Sequence, residues 1–170
     1  MEEEEYQKLK KYALKLLSFR PRTKKEISER LRQYCNKKNI SLKIADQVIN
    51  YLIEKSFIND EDFTKWWIDQ RHSFRPKGIS VIKKELLNKG VEREVIEKEL
   101  SAYKENPKSE YDLALKLIEK KINVRMKLST RDKRIKISNL LARRGFSWDI
   151  IYQVIDTFLK KSYNSKDRMN

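Results

Sequence analysis

The chain has 170 residues and a formal net charge of +15 at pH 7. Hydrophobic residues make up 39% of it and charged residues 38%, with only 3 Gly and 3 Pro, a balance that excludes most β-folds and favours helices. No apolar run approaches the ~20 residues of a membrane span, and the four glutamates at residues 2–5 are unlike a secretory signal, so we expect a cytoplasmic protein with a polyanionic partner.

The first predicted repeat, residues 1–57, contains three helices. Its first helix ends at residues 18–21, because the residue before a proline is disfavoured in the α region. Thr23 and Glu26 predict a capping box at the start of the second helix. Cys35, the only cysteine, lies on the apolar stripe of that helix and is expected to be a small core residue. A further stripe predicts the third helix: Ile44, Val48, Tyr51 and Leu52.

The second predicted repeat, residues 58–105, has the same order of helices. Asn59 predicts an N-cap, and residues 60–62 supply a carboxylate-rich first turn. Because residues 60–62 lie at the start of a helix, their negative charge is explained by the helix dipole, and no metal site has to be assumed. Gly90 is expected to end the middle helix in a left-handed conformation.

The third predicted repeat, residues 109–161, departs from this pattern at its corner. The proline is missing there, and a longer basic segment, residues 125–133, takes its place. Gly145 closes the middle helix and Ser147 caps the last one, which is expected to bury Trp148 with the rest of its apolar stripe. Residues 162–170 are expected to form a flexible tail.

A fixed offset relates the three repeats. The sequence Ser-Phe-Arg-Pro at residues 18–21 recurs unchanged at residues 73–76, an offset of 73 − 18 = 55. The same offset relates Gly90 to Gly145. It also relates three apolar pairs in the middle helices: Ile27 and Leu31, Ile82 and Leu86, and Ile137 and Leu141. A period of this size indicates tandem units that pack mainly against their neighbours, and so predicts an elongated all-α array of three three-helix repeats.

Residues suited to catalysis are scarce. His72 is the only histidine, and its place at a helix end favours a surface or capping role. One His and one Cys in unrelated positions do not form a nucleophile–base pair, and neither a zinc-ligand spacing nor a Gly-rich phosphate loop is present. We therefore expect no cofactor and no enzymatic activity.

Positive charge is concentrated in the third repeat. Between residues 115 and 145 the only acidic residues are Glu119 and Asp132. The eleven cations are Lys116, Lys120, Lys121, Arg125, Lys127, Arg131, Lys133, Arg134, Lys136, Arg143 and Arg144. A solvated face could explain any one of them, but solubility alone would be served by mixed charges. We therefore interpret the cluster as a binding surface, aligned with the cations at the earlier corners.

Four aromatic side chains could form a stacking platform for single-stranded nucleic acid. They are Trp66, Trp67, Phe74 and Trp148. All lie on or next to apolar stripes, so packing in the core is the favoured interpretation, least firmly for Phe74.

With these motifs in place, the chain resembles the RecX family, regulators of the RecA recombinase. The resemblance rests on residues 17–23 with Glu26 and Leu31, on residues 52–63, on residues 77–78 with 82–86 and 89–91, and on residues 141–147. Residues 17–23 read Leu-Ser-Phe-Arg-Pro-Arg-Thr, and residues 141–147 read Leu-Ala-Arg-Arg-Gly-Phe-Ser. Each motif alone consists mostly of residues that begin or end helices and is weak evidence for a family. The order in which the motifs occur together is specific to this family. Two features depart from the family pattern: Val81 replaces a basic residue, and residues 36–39 end the first middle helix without Gly.

The resemblance implies a curved array of three three-helix repeats and a monomer that lies along the groove of the RecA–DNA filament. It implies contact with RecA and with single- and double-stranded DNA, and inhibition of filament growth, ATP hydrolysis and strand exchange. The alternatives are a sequence-tolerant nucleic-acid-binding protein without a recombinase partner, and a plain helical adaptor.

The predicted recombinase- and DNA-binding residues form a basic face. They are Arg20, Arg22, Arg75, Lys77, Lys83, Lys84, Arg131, Arg134, Arg143 and Arg144. For Arg143 and Arg144, attraction to a helix C-terminus is a rival explanation.

Overall fold

A computed structural model describes residues 2–104, 107–122 and 128–167 of the chain. Within these ranges it contains nine α-helices and no β-strand, which confirms the predicted all-α class of three tandem three-helix repeats. The helices are α1 (Glu2–Phe19), α2 (Lys24–Lys38), α3 (Leu42–Glu54), α4 (Asp60–Ser73), α5 (Ile79–Asn88), α6 (Arg93–Lys104), α7 (Pro107–Lys121), α8 (Thr130–Arg143) and α9 (Trp148–Asp167). The last helix continues past Lys161, into the segment expected to be a tail.

The chain divides into two compact units, and the division passes through the second repeat. Unit 1 comprises Met1–Trp67 and Glu85–Glu99, and unit 2 comprises Ile68–Lys84 and Leu100–Asn170. Thus the start of α4 and the end of α5 belong to unit 1. The corner between these two helices belongs to unit 2.

The core of unit 1 is formed by α1, α2 and α3 and includes most of the apolar residues predicted for the second and third helices. Cys35 is fully buried, as expected, and burial raises the pKa of its thiol. The capping box is present: the Thr23 hydroxyl accepts a hydrogen bond from the Glu26 amide at 3.1 Å. Asn39 adopts a left-handed φ of 55° where the family pattern has Gly, which a short polar side chain tolerates. The buried core residues are Leu9, Ala13, Ile27, Leu31, Cys35, Ile44, Ala45, Val48, Ile49, Leu52 and Ile58.

The core of unit 2 is formed by α7, α8 and α9. Its buried residues include Ala114, Ile118, Ile122, Ile137, Leu141, Phe146, Ile151, Val154 and Phe158. The Tyr111 hydroxyl donates to the Thr157 hydroxyl at 2.8 Å and so ties α7 to α9. The expectation that Trp148 points inward was wrong, because it is 57% exposed.

The first joint, as we call the contacts of the first corner with α4 and α5, lies within unit 1. The Thr23 hydroxyl donates to the carbonyl of Lys89 at 2.7 Å. The Lys24 amide, at the start of α2, donates to the Asp60 carboxylate at 2.9 Å. The acidic turn therefore satisfies an amide at the start of another helix, as well as lying at the start of its own.

The second joint repeats this arrangement within unit 2. The Gly78 amide donates to the carbonyl of Arg144 at 2.8 Å, and the Ile79 amide donates to the Glu110 carboxylate at 3.2 Å. Gly78 and Ile79 are the offset partners of Thr23 and Lys24. A Cβ at Gly78 would overlap the carbonyl of Gly145, so the close approach requires glycine. In both joints burial raises the pKa of the carboxyl group, and the amide hydrogen bond opposes that shift.

Candidate nucleic-acid interface

The second corner borders a cavity of about 550 Å³, which we call the basic groove. Six cations line it: Arg75, Lys77, Lys116, Lys120, Lys121 and Arg144. The rest of the lining consists of His72, Ser73, Phe74, Pro76, Leu113 and Leu117. No carboxylate is among these residues. Six like charges around one cavity repel each other and favour an anion between them.

One wall of the groove is a face of α7. Leu113, Lys116, Leu117, Lys120 and Lys121 recur at helical spacing and therefore share that face. Leu117 is buried in the core, whereas the three lysines are exposed. Packing of the leucine thus sets the rotation that presents the lysines to the groove.

The corner itself forms another part of the lining and is held by Arg144. Its backbone carbonyl accepts from the Gly78 amide in the second joint, and its guanidinium donates to the carbonyl of Pro76 at 3.1 Å. Arg144 is the C-cap of α8, so the end of that helix fixes the corner at two points.

His72 lies at the end of α4, where it is half-buried and lines the groove; its surface or capping role stays a prediction. Burial lowers its pKa from the ordinary 6.5, and the Asp69 carboxylate partly opposes the shift. This shift favours the uncharged imidazole, so the positive charge of the groove comes from its lysines and arginines.

Three of the ten predicted site residues meet in the groove: Arg75, Lys77 and Arg144. The other predicted cations of unit 2 do not line it. They are Lys83, Lys84, Arg131, Arg134 and Arg143, of which Lys83 is half-buried and the others are exposed. Arg143 donates to the carbonyl of Asn139 in its own helix, at 3.1 Å.

The two predicted site residues of the first corner have structural partners in unit 1. Arg20 forms two hydrogen bonds with the Glu26 carboxylate, at 3.0 and 3.1 Å, and Lys89 adds another at 2.7 Å. Burial opposes ionisation of Glu26, but hydrogen bonds from Arg20 and Lys89 outweigh it and lower the pKa of that carboxyl to about 2. Arg22 donates to the carbonyl of Leu16, and burial lowers its pKa.

The prediction of site residues omitted Lys116, Lys120 and Lys121, although they belong to the basic run. The signal was their helical spacing beside Leu113 and Leu117. Another member of that run, Lys133, is buried. Residues 125–127 of the predicted basic segment, which include Arg125 and Lys127, lie outside the described ranges, whereas residues 128–133 lie within them.

The packing interpretation of the aromatic residues was half right. Trp66 and Trp67 are half-buried, with rings 5.5 and 5.8 Å from that of Phe63. Phe74 is 74% exposed at the rim of the groove, which contradicts a role in the core. Trp148 is also exposed, and its ring centroid lies 5.9 Å from that of the exposed Tyr152.

No group of His, Cys, Asp or Glu in the described ranges is arranged to hold a metal ion. Across the same residues, no helix combines the length and the apolar character needed to cross a membrane.

Family models match the chain three times in succession. The first, second and third three-helix domains of RecX match residues 10–52, 59–100 and 108–155. These matches follow the order of the three predicted repeats.

The sequence of the chain aligns with those of curated relatives over most of its length. A protein named regulatory protein RecX from Bacillus cytotoxicus is 35% identical over 166 residues, which cover 97% of this chain and 59% of the relative. Its counterpart from Bacillus thuringiensis is 36% identical over 148 residues, covering 87% and 53%. The chain thus spans little more than half the length of these relatives.

Solved structures agree in fold. The crystal structure of RecX from Lactobacillus salivarius superposes with a TM-score of 0.76 at 31% identity, covering 91% of this chain and 97% of that one. A second crystal structure, of regulatory protein RecX, gives a TM-score of 0.72 at 20% identity, covering 89% and 73%, and supports the fold alone. Three successive domain matches and a solved structure of the same fold at 31% identity lead to one conclusion: the chain belongs to the RecX family of regulatory proteins.

Proposed function

We propose that this protein is a non-catalytic, cytoplasmic modulator of the RecA recombinase that binds along the RecA–DNA filament. Its effect is to inhibit filament growth, ATP hydrolysis and strand exchange during DNA repair and SOS control. The basic groove carries this proposal, because six cations without a carboxylate form a receptor for the phosphates of a filament-bound DNA strand.

Contact with the protein part of a filament needs a different kind of surface. Trp148 and Tyr152 are 57% and 64% exposed and lie side by side at the start of α9. Trp and Tyr are enriched among the residues that dominate protein–protein affinity. We assign this aromatic pair to the recombinase and the basic groove to the DNA.

The mechanism requires binding alone. A protein that bridges neighbouring protomers of a filament changes the rates at which protomers join and leave, without any covalent step. Cys35 is no nucleophile in this mechanism, because it is buried and its pKa is raised.

The test measures DNA-dependent ATP hydrolysis by RecA at near-physiological salt, with this protein well below one copy per recombinase. The variant carries Lys120→Glu and Lys121→Glu, both in the last turn of α7. Its control carries Lys37→Glu and Lys38→Glu, the same charge change in the last turn of α2 and outside the groove. Arg144 is left intact because its side chain also holds the corner.

We expect the wild type and the control to suppress hydrolysis and the groove variant to lose most of that effect. If the wild type has no effect but binds bare DNA in a salt-sensitive way, a sequence-tolerant nucleic-acid-binding protein replaces the proposal. If the groove variant suppresses hydrolysis as well as the wild type, the groove is not the DNA contact, and a helical adaptor becomes the better description.

A further inference from the structure

We propose that the basic groove takes a single strand of nucleic acid, with an unpaired base stacked on the ring of Phe74 and the neighbouring phosphates on the lysines of α7. This inference rests on the proposed function, because it specifies which form of DNA the groove selects.

Phe74 lies where a stacking residue is needed. Its side chain is 74% exposed and lines the groove together with six cations. Exposed aromatic rings interleaved with cations are typical of single-strand sites, since every base has a π-face and every nucleotide a phosphate. A duplex keeps its bases stacked inside and presents no free base face to the ring.

The backbone under the ring is held in place. The Phe74 amide donates to the carbonyl of Gln70 at 3.2 Å, which continues the last turn of α4. Two residues later the carbonyl of Pro76 accepts from Arg144, and Gly78 is held in the second joint. A ring on a fixed corner loses less conformational freedom on binding than a ring on a mobile loop.

The dimensions of the groove agree with this ligand. A volume of about 550 Å³ lies within the usual range of small-ligand sites, so it suits separate nucleotides and not the width of a double helix. Lys116 and Lys120 are one helical turn apart, about 6 Å along α7. A flexible strand therefore meets successive cations as it follows the helix.

The first corner provides a natural control. Phe19 is the offset partner of Phe74 and is equally exposed, at 73%. The cavity at that corner contains one cation and one carboxylate, Arg22 and Asp62, and Phe19 does not line it. Exposure of a phenylalanine is therefore shared by both corners, whereas the surrounding cations are found at only one of these two.

The experiment measures fluorescence anisotropy of a labelled oligothymidylate and of a duplex of equal length at constant salt. We expect Phe74→Ala to weaken single-strand binding by roughly 5- to 100-fold, the usual effect of removing one stacked base, while duplex binding changes less than twofold. Phe19→Ala should change neither, and Phe74→Trp should restore single-strand binding. Quenching of the added indole fluorescence by the single strand is the second readout.

Two outcomes overturn the inference in different ways. If Phe74→Ala leaves single-strand binding unchanged, or weakens both ligands equally, the ring does not stack on a base. If the Lys120→Glu and Lys121→Glu variant also binds both ligands like the wild type, the groove itself is not a nucleic-acid site, and the DNA contact of the proposed function fails with it. If the lysine variant loses binding while Phe74→Ala does not, only the stacking inference is rejected, and the groove remains the DNA contact.

Discussion

The two corners have the same four residues, Ser-Phe-Arg-Pro, and different surroundings. The arginine of the first corner, Arg20, is held by Glu26, and the adjoining cavity of about 490 Å³ is mainly apolar. The arginine of the second corner, Arg75, lines the basic groove. Position 26 maps onto Val81, so the second corner has no counterpart of the Glu26 carboxylate. Repetition thus preserves the backbone, and the neighbours of each corner decide its chemistry.

The largest expected difference between the corners concerns stability. Gly78→Ala should lower the free energy of unfolding by about 2–4 kcal/mol, because the new Cβ overlaps backbone atoms of the second joint. At the equivalent position, Thr23→Ala removes one hydroxyl and should cost about 1–2 kcal/mol. Urea denaturation measures both. A smaller loss for Gly78→Ala than for Thr23→Ala would show that the second joint adapts easily.

The next difference is a dependence on pH at the first corner. The pKa of Glu26 is lowered from 4.5 to about 2, so its contribution is present above pH 4.5 and is lost as the pH falls towards 2. After a discount for partial exposure, the contribution is about 2 kcal/mol. Glu26→Gln should lower stability at pH 6 and flatten its dependence on pH between 5 and 2. Urea denaturation across this range measures it, and an unchanged slope in the variant would assign the dependence to other carboxylates.

A third prediction separates the corners from the aromatic pair. Replacing Trp148 and Tyr152 together by Ala should weaken suppression of RecA ATP hydrolysis about tenfold or more, because such residues dominate protein interfaces. Binding to free oligothymidylate should not change, since neither ring lines the groove. If this variant also lost DNA binding, the assignment of the aromatic pair to the recombinase and of the basic groove to DNA would be contradicted.

The smallest effect is expected from a single charge. Lys116→Gln should reduce the slope of log affinity against log salt by about 0.7 for single-stranded DNA, because one phosphate contact is lost. Lys37→Gln on α2 is the matched control and should leave the slope as it is. An equal reduction of the slope in both variants would indicate that DNA responds to the overall positive charge of the protein and not to a defined groove.

Much of the fold follows from local sequence signals. Helical stripes predicted the burial of Ile27, Leu31 and Cys35, and capping residues predicted where helices begin. The offset of 55 also relates the corner residues that form the two joints. These features depend on spacing along one helix or on a short turn, which a sequence displays directly.

The candidate site was harder to predict because it depends on contacts distant in the chain. Lys120 and Phe74 share a groove although they lie in different repeats. Trp148 has the spacing of a core residue, but it is the first residue of α9, and periodicity does not show how far packing extends along a helix. Arg20 carries the same motif as Arg75, yet its partner Glu26 belongs to the first corner alone.

In the second joint a main-chain amide, that of Gly78, takes the place of the Thr23 hydroxyl of the first joint, and this has a consequence for how such repeats change. The Gly78 amide and the Arg144 carbonyl meet without a side chain, and the Ser80 hydroxyl also binds a carbonyl, that of Gly145. Exposed side chains at the rim of the corner can therefore be exchanged at little cost to assembly. In a duplicated repeat of this kind, the exposed side chains that bind a ligand can change while the contacts that hold the helices together are kept.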